Sequence, residues 1–439
     1  MTMQNDRYQV PYIYGKNRKD SIQVEVPGSK SITNRALLLA TLAEGKSILR
    51  GCLFSDDSRH FLKCIQELGF ETNVDEEHKT IEVVGHGGAV PKAEASIYVG
   101  SAGTAARFLS AYLGVSQGKY YLDASEQMRR RPMAPLLASL RELGCEIICE
   151  EKEGFFPFTV KATGFGKNQI CVDIGNSSQF LSALLIAATL SPEDMEIQVE
   201  GSHGMAYIHM TEQMMEQFGV QAERKEVDEQ ICYKVKAGQQ YQELDYQIEP
   251  DVSAACYFYG MAALLGIEVV VRHVHFESLQ GDVEFLRILE QMGCQVQETA
   301  EGICVRGNAG GQYHGVEVDM SACSDQAITL AALAPFAETP TLIKGIGHIR
   351  YQESDRIHAI VTELDKMGIS CEEGQDYIKI YPGVPKGSVV STYDDHRMAM
   401  GFSLIGLRAE GIVIDDPGCC RKTFEDYFQV LDKVVEKIR

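Results

Sequence analysis

Several short segments of the sequence place small polar residues and a cation at the start of an apolar stretch. Gly28-Ser29-Lys30-Ser31 precedes one such stretch, and Arg35 follows about one turn later. A lysine at a helix start opposes the helix macrodipole, which favours anions at that end. An anionic ligand would remove this conflict, because the backbone N–H groups of a helix start also attract negative charge. The segment therefore predicts an anion-binding helix start.

Five further segments open apolar stretches in the same way. They are Ser101-Ala102-Gly103-Thr104, Asn176-Ser177-Ser178-Gln179, Asp251-Val252-Ser253, Cys323-Ser324-Asp325-Gln326 and Asp394-Asp395-His396-Arg397. For any one segment, helix capping alone is the better interpretation, because Ser, Asp and Asn are preferred N-caps. Several segments have cations beside them, however, and capping does not need cations. These cations are Arg107, Arg131, Arg356, Arg397 and Lys422.

An internal repeat sets the positions of these segments. Helix-like stretches ending in an apolar residue and a glycine recur with Gly69, Gly144, Gly219, Gly293 and Gly368, which lie 74 or 75 residues apart. Strand-like alternation follows them, so the 439 residues divide into six units of about 73. Each unit holds two helices and several strands, which predicts an α/β fold. The helices that begin at the polar segments are apolar on most sides, so we expect them to be buried inside a ring of sheets.

The composition limits the classes of partner. Acidic residues outnumber basic ones by 62 to 41, and the formal net charge of −21 argues against nucleic acid and anionic membranes as partners. No apolar run reaches the length of about 18 residues that spans a bilayer. The polar start of the chain lacks a signal core, and the 13 cysteines are scattered at apolar positions. We expect a cytoplasmic monomer with no metal site and, in the absence of a dinucleotide or Walker motif, no cofactor.

Eight motifs together carry a resemblance to a known family. They are Pro27-Gly28-Ser29-Lys30-Ser31-x-x-Asn34-Arg35, Ala102-Gly103-Thr104-x-x-Arg107, Arg131-Pro132, Ser177-Ser178-Gln179-Phe180, Gln280-Gly281-Asp282, Glu353-Ser354-Asp355-Arg356, Asp395-His396-Arg397-Met398-Ala399-Met400 and Lys422-Thr423-Phe424. One motif alone would be weak evidence, but eight in order are highly specific. The sequence resembles the EPSP synthase family of enolpyruvyl transferases.

The resemblance implies an inside-out α/β barrel. The family fold has two similar lobes, each of three βαβαββ-type repeats with buried helices, and the active site lies in the interlobe cleft. Residues 29–250 would form one lobe, inserted between residues 1–28 and 251–439 of the other. This architecture agrees with the six-unit repeat that the glycine spacing indicates.

The resemblance also implies an activity. Family members transfer the enolpyruvyl group of phosphoenolpyruvate (PEP) to the 5-hydroxyl of shikimate 3-phosphate and release phosphate, on the route to chorismate and the aromatic amino acids. Each substrate carries a phosphate and a carboxylate, so burying both requires several cations. Two alternatives stay open: a paralogous enolpyruvyl transferase with a different acceptor, and a non-catalytic anion-binding protein on the same scaffold.

By resemblance, the site residues fall into three groups. PEP would contact Lys30, Gly103, Arg131, Gln179, Arg356, Arg397 and Lys422. Shikimate 3-phosphate would contact Lys30, Ser31, Arg35, Ser177, Ser178, Gln179, Tyr207, Asp325, His348 and Gln352. Asp325 would take the hydroxyl proton, Glu353 with Lys30 nearby would act at the PEP methylene carbon, and His396 is a further catalytic candidate. Alone, Asp325 and Glu353 would be interpreted as ordinary helix-start acids.

Three positions depart from the family pattern on the acceptor side. Gln352 stands where a lysine is usual, His348 where an asparagine is frequent, and Gly204 where a serine is usual. Loss of the lysine removes a charge-assisted hydrogen bond. We expect His348 or His203 to compensate.

Overall fold

The computed structural model describes residues 7–15, 19–227 and 230–439. The helices in this part of the chain are α1 (Lys30–Leu42), α2 (Asp56–Glu67), α3 (Gly103–Val115), α4 (Glu126–Arg129), α5 (Ala134–Glu142), α6 (Gln179–Ala187), α7 (Met205–Gln217), α8 (Val252–Leu265), α9 (Glu284–Gln291), α10 (Ala327–Leu333), α11 (Arg356–Lys366), α12 (His396–Arg408) and α13 (Tyr427–Ile438).

Within the described residues, six sheets are built from the following strands. They are β1 (Arg7–Gln9), β2 (Ser21–Val24), β3 (Glu44–Arg50), β4 (Thr72–Asp75), β5 (Thr80–His86), β6 (Glu94–Tyr98), β7 (Gln117–Asp123), β8 (Glu146–Cys149), β9 (Phe158–Thr163), β10 (Gln169–Asp173), β11 (Met195–Glu200), β12 (Ala222–Val227), β13 (Gln230–Val235), β14 (Asp245–Gln247), β15 (Glu268–Arg272), β16 (Gln295–Thr299), β17 (Gly302–Arg306), β18 (Glu317–Asp319), β19 (Thr341–Lys344), β20 (Cys371–Glu373), β21 (Tyr377–Ile380), β22 (Val389–Val390) and β23 (Val413–Asp415).

The chain folds into two compact units. Gly28–Ile248 forms the inserted unit, and Met1–Pro27 together with Glu249–Arg439 forms the split unit. The segment 1–28 that was expected to begin one lobe includes residues 1–6 and 16–18, which lie outside the described residues.

One repeat shows how each sheet is built. β6 runs parallel to β7, and α3 makes the crossover between them, as parallel pairing requires. After α5, the strands β8 and β9 form an antiparallel pair, and β9 also pairs antiparallel with β7. The sheets β10–β11–β13–β12 and β18–β19–β21–β20 have the same order, which is the predicted βαβαββ pattern.

In each of the remaining three repeats, one strand of the sheet comes from a distant part of the sequence. In the split unit, β2 precedes α1 in sequence but pairs in parallel with β15, which follows α8. In the inserted unit, β14 precedes α8 but pairs in parallel with β3, which follows α1. The sixth repeat lacks a terminal hairpin, and its third strand is β1, antiparallel to β23. The polar start of the chain contained no pattern that predicted β1.

The helices that begin at the polar segments are the buried ones. In the inserted unit, α3 packs against both α1 and α6, and in the split unit α8, α10 and α12 pack against one another. Almost every residue of these six helices is buried. The prediction of buried helices surrounded by sheets is therefore confirmed. Within the described residues, no helix has the length and apolar character needed to cross a membrane.

Candidate active site

The guanidinium of Arg356 is the centre of a charged cluster in the split unit. Arg356 is the first residue of α11 and is 1% exposed. Its Nε and Nη2 donate to the two carboxylate oxygens of Asp395 at 2.8 and 3.2 Å. Nη1 donates to Asp325 at 2.9 Å and to the amide oxygen of Gln352, and Nη2 donates to Glu353 at 3.0 Å. All five N–H donors of Arg356 therefore have acceptors within the described protein.

Two of these carboxylates each bridge two cations. Asp325 accepts from Arg356 through Oδ1 and from Arg397 Nη2 through Oδ2, the latter at 2.7 Å. Glu353 accepts from Arg356 through Oε2 and lies 3.2 Å from Lys422 Nζ through Oε1. The resulting chain of alternating charges holds three cations and two carboxylates in fixed positions.

Burial and the carboxylates act in opposite directions on Arg356. Burial is the largest influence and disfavours the charged guanidinium, whereas Asp395, Glu353 and Asp325 favour it and together raise its pKa above the usual range. Arg356 therefore remains a cation, although it lies in the interior.

The start of α12 is tied to the same cluster. Asp395 is the N-cap of α12 and accepts a hydrogen bond from the Arg397 backbone N–H at 3.0 Å. Ser354 Oγ also donates to Asp395, at 3.0 Å. His396 is buried, with Nδ1 3.8 Å from Asp395 Oδ1. Asp395 thus caps a helix and also holds Arg356, a role that the sequence analysis did not assign to it.

The acceptor-side departures in the split unit have defined contacts. His348 Nε2 lies 2.8 Å from Ser324 Oγ, in the residue directly before Asp325. Gln352 contacts Arg356 and carries no charge of its own. The predicted residues Asp325, His348, Gln352, Glu353, Arg356, Arg397 and Lys422 therefore lie in one contiguous group, with His396 beside it.

In the inserted unit, Lys30 has a buried acidic partner. Ser29 caps α1 by accepting from the Ile32 N–H at 3.4 Å. Lys30 Nζ lies 3.4 Å from Asp57 Oδ2, and the Asp57 side chain is 2% exposed. The other oxygen of Asp57 is buried and accepts no hydrogen bond from the described residues. Asp57 was not predicted as a site residue, because only the packing of α2 against α1 brings it close to Lys30.

Arg35 is held from three sides. Its Nε donates to Thr211 Oγ1 at 2.8 Å, Nη2 donates to the Tyr207 carbonyl at 3.2 Å, and Nη1 donates to the Ser31 carbonyl at 3.2 Å. The Phe108 ring lies 5.2 Å from the guanidinium carbon. Burial lowers the pKa of Arg35 to about 10, which keeps it charged at neutral pH.

The backbone at Gly103 is surrounded by polar side-chain ends. A Cβ atom there would lie 3.0 Å from Arg107 Nη1, 3.1 Å from Arg131 Nη1 and 3.2 Å from Gln179 Oε1. Gln179 Oε1 is buried and accepts no hydrogen bond from the described part of the chain. α3 has no side-chain N-cap among the described residues, so the capping interpretation fails at this helix start. Gly103, Arg131 and Gln179 therefore lie close together.

The departure at Gly204 has a steric cause. Gly204 has φ of +65°, and a Cβ atom there would lie 2.5 Å from Ser178 Oγ. A serine at position 204 would therefore be strained in this backbone conformation. Ser177 and Ser178 lie at the start of α6, where Ser177 Oγ accepts from the Gln179 N–H at 3.3 Å. A hydrogen bond of 2.6 Å from Asn34 to Thr104 joins the starts of α1 and α3.

Comparisons with known proteins show which family the chain is related to. The family model for EPSP synthase (3-phosphoshikimate 1-carboxyvinyltransferase) matches residues 16–431. The chain is 44% identical to the 3-phosphoshikimate 1-carboxyvinyltransferase of Nostoc punctiforme over 98% of this chain and 100% of that protein. It is 40% identical to the chloroplastic 3-phosphoshikimate 1-carboxyvinyltransferase of Arabidopsis thaliana over 95% of this chain and 83% of that one.

Solved structures show the same fold. The EPSP synthase of Acinetobacter baumannii superposes with a TM-score of 0.78 and 26% identity, covering 96% of this chain and 97% of the other. The enolpyruvyl transferase NikO of Streptomyces tendae superposes with a TM-score of 0.71, and at 16% identity it shows the fold alone. The resemblance noted from the eight motifs is confirmed, and the chain belongs to the EPSP synthase family.

Proposed function

We propose that this chain is a 3-phosphoshikimate 1-carboxyvinyltransferase, which transfers the enolpyruvyl group of PEP to the 5-hydroxyl of shikimate 3-phosphate and releases phosphate. Membership of the EPSP synthase family supports the activity. The structural observation that carries the proposal is the charged cluster of the split unit. In this cluster, Asp325 and Glu353 each bridge two cations. Anion binding requires the cations, whereas proton transfer also requires ionisable groups such as these two carboxylates.

The cations supply the binding of PEP. Arg397 and Lys422 each form an ion pair with a carboxylate of the protein. The phosphate and carboxylate of PEP would share or replace those contacts. Arg356 has every donor engaged, so its contribution to PEP requires that one of its acceptors move aside. In the inserted unit, the proposed PEP set is completed by Lys30, Arg131, Gln179 and the backbone at Gly103.

The two bridging carboxylates divide the proton transfers. Asp325 takes the proton of the acceptor hydroxyl, and a proton supplied at Glu353, with Lys30 assisting, adds to the methylene carbon of PEP. The hydroxyl oxygen then bonds to C2, which gives a tetrahedral ketal phosphate. Loss of a methyl proton to Glu353 and departure of phosphate from C2 restore the double bond, and the proton held by Asp325 passes to the leaving phosphate. His396, with Nδ1 3.8 Å from Asp395 Oδ1, is the further catalytic candidate.

Several polar groups in the inserted unit suit shikimate 3-phosphate. Arg35 is a fixed, charged partner for its carboxylate, and Ser31, Ser177, Ser178 and Tyr207 are the proposed contacts to its other polar groups. Gln179 Oε1 is a buried acceptor that the described protein leaves unused, so a substrate hydroxyl suits it. His348, beside Ser324, and Gln352 complete the acceptor side.

The partners are small anions, with no nucleic acid or membrane, and the protein acts as a cytoplasmic monomer without a cofactor.

Phosphate release from PEP tests this function. We expect release that depends on shikimate 3-phosphate. Release that requires another acceptor would instead identify a paralogous transferase. Binding of PEP without release, with any acceptor in a screen of hydroxylated phosphates, would leave the anion-binding alternative.

Replacement of Gly103 by alanine is expected to raise the KM for PEP about tenfold. The added methyl group would press on the ends of Arg107, Arg131 and Gln179, which are flexible side chains rather than backbone. The melting temperature should therefore stay the same or rise, because alanine favours the helix. Steady-state kinetics with varied PEP checks this, and an unchanged KM for PEP would remove Gly103 from the PEP set.

A further inference from the structure

A buried carboxylate behind the charged cluster has no part in the steps above. Asp282 lies in the turn Gly281–Val283 between β15 and α9 and is 3% exposed. Its Oδ1 accepts from Gln326 Nε2 at 2.8 Å, and its Oδ2 accepts from Ser253 Oγ at 3.0 Å. We propose that Asp282 is a positioning residue that holds both Asp325 and Arg397 in their reactive places.

The first connection runs through the backbone of the turn that carries Asp325. Gln326 follows Asp325 in the turn Ser324–Gln326 and is fully buried. Its amide nitrogen donates to Asp282, and its amide oxygen accepts from Thr329 Oγ1 at 3.0 Å. With both ends of the Gln326 side chain fixed, the turn has little freedom, so the carboxylate of Asp325 stays directed at its cations.

The second connection runs through a hydroxyl. Ser253 Oγ donates to Asp282 and lies 3.4 Å from Arg397 Nη2, from which it accepts. The same Arg397 nitrogen pairs with Asp325 Oδ2 at 2.7 Å. An ionised Asp282 orients the Ser253 hydroxyl so that its oxygen faces Arg397. Asp282 therefore acts on both partners of the Asp325–Arg397 pair, and each connection uses one of its two oxygens.

The environment of Asp282 gives this arrangement a pH dependence. Burial, followed by the charge of Asp325, raises the pKa of Asp282 to about 6, although Arg397 and Gln326 lower it. The other ionisable groups that face it are Asp251, Cys256 and Cys323, and burial raises the pKa of both thiols so that they stay neutral. Protonated Asp282 stabilises the fold at pH below about 4, and this contribution is lost as the pH rises through about 6. Below about pH 6, protonation of Asp282 removes one of the two acceptor oxygens that Gln326 and Ser253 need.

The inference rests on the proposed function and is tested by replacing Asp282 with asparagine. An amide cannot accept from both partners without meeting a donor with its own NH₂ group. We expect kcat of Asp282→Asn to fall by about tenfold or more at pH 8, because the reacting groups are displaced. We also expect kcat/KM for PEP to fall more steeply below pH 6 in the wild type than in the variant, because the substrate phosphates titrate in both.

Two further variants make the result specific. Ser253→Ala breaks only the connection to Arg397, so it should raise the KM for PEP with a smaller effect on kcat. Asp319→Asn changes an exposed carboxylate of the same unit, which accepts from the Ser321 N–H, and should retain both kcat and the wild-type decline below pH 6. Wild-type kcat with the full wild-type decline of kcat/KM below pH 6 in Asp282→Asn would overturn the proposal. If that variant does not fold, a wild-type KM for PEP in Ser253→Ala would overturn it.

Failure of the proposed function would be seen separately, as a wild-type protein without phosphate release in the presence of shikimate 3-phosphate. Calorimetric titration with PEP then tests Asp282 without turnover. Affinity that weakens more from pH 8 to pH 5.5 in the wild type than in Asp282→Asn supports the positioning role, and equal pH dependence in both overturns it.

Discussion

Replacement of Arg356 by leucine is expected to destabilise the split unit by about 3–5 kcal/mol and to abolish measurable turnover. The side chain is 1% exposed and donates to three carboxylates, so leucine would leave Asp325, Glu353 and Asp395 facing one another with too little positive charge. Thermal unfolding measures the loss. Hydrogen–deuterium exchange should locate it in peptides from residues 249–439, with peptides from residues 28–248 unchanged.

The matched control is Arg287→Leu. Arg287 lies on α9 in the same unit, its side chain is 73% exposed, and it pairs with Glu284. Exposed ion pairs contribute about 0–1 kcal/mol, so this variant should melt close to the wild type. An Arg356→Leu protein as stable as Arg287→Leu would contradict the role of Arg356 as the charge that holds the cluster together.

Asp325→Asn is expected to lower kcat by roughly 10²–10⁴-fold, because asparagine cannot take the hydroxyl proton. The amide weakens the contacts to Arg356 and Arg397, but it keeps the size of the side chain and one acceptor oxygen. The affinity for PEP should therefore change much less than kcat. Phosphate-release kinetics and calorimetric titration with PEP separate the two effects.

Asp319→Asn again serves as the control, since it makes the same chemical change at an exposed position of the split unit. A loss of PEP affinity as large as the loss of kcat would show that Asp325 acts by organising the cations. A kcat within threefold of the control would exclude Asp325 as the base.

The repeat was readable in the sequence because each copy repeats the same physical signals. Gly69, Gly144, Gly219, Gly293 and Gly368 all have positive φ at helix C-termini, which is the reason that glycine recurs there. The polar segments begin buried helices in every repeat. Two features could not be predicted from the spacing: the pairing of β2 and β14 with strands of other repeats, and the strand β1. Pairing between strands so far apart in sequence is set by packing and leaves no local pattern.

The site was predictable where chemistry and motif coincide. Motif resemblance located Lys30, Asp325, Glu353 and Arg397, and their roles stay predictions. Asp57 and the positioning role of Asp282 were not predicted, since each depends on a contact between helices or turns distant in sequence. Single acidic residues near helix starts look the same in sequence whether they cap a helix, hold a cation or face solvent.

The path of the bridging oxygen of PEP is the most direct test of enolpyruvyl transfer. PEP labelled with ¹⁸O between C2 and phosphorus would be incubated with the protein and shikimate 3-phosphate, and the products followed by ³¹P and ¹³C NMR. Transfer breaks the C2–O bond, so we predict ¹⁸O in the released phosphate together with a new enol ether carbon on the acceptor. Phosphate free of ¹⁸O, with the label in pyruvate, would show P–O cleavage and contradict the proposed function.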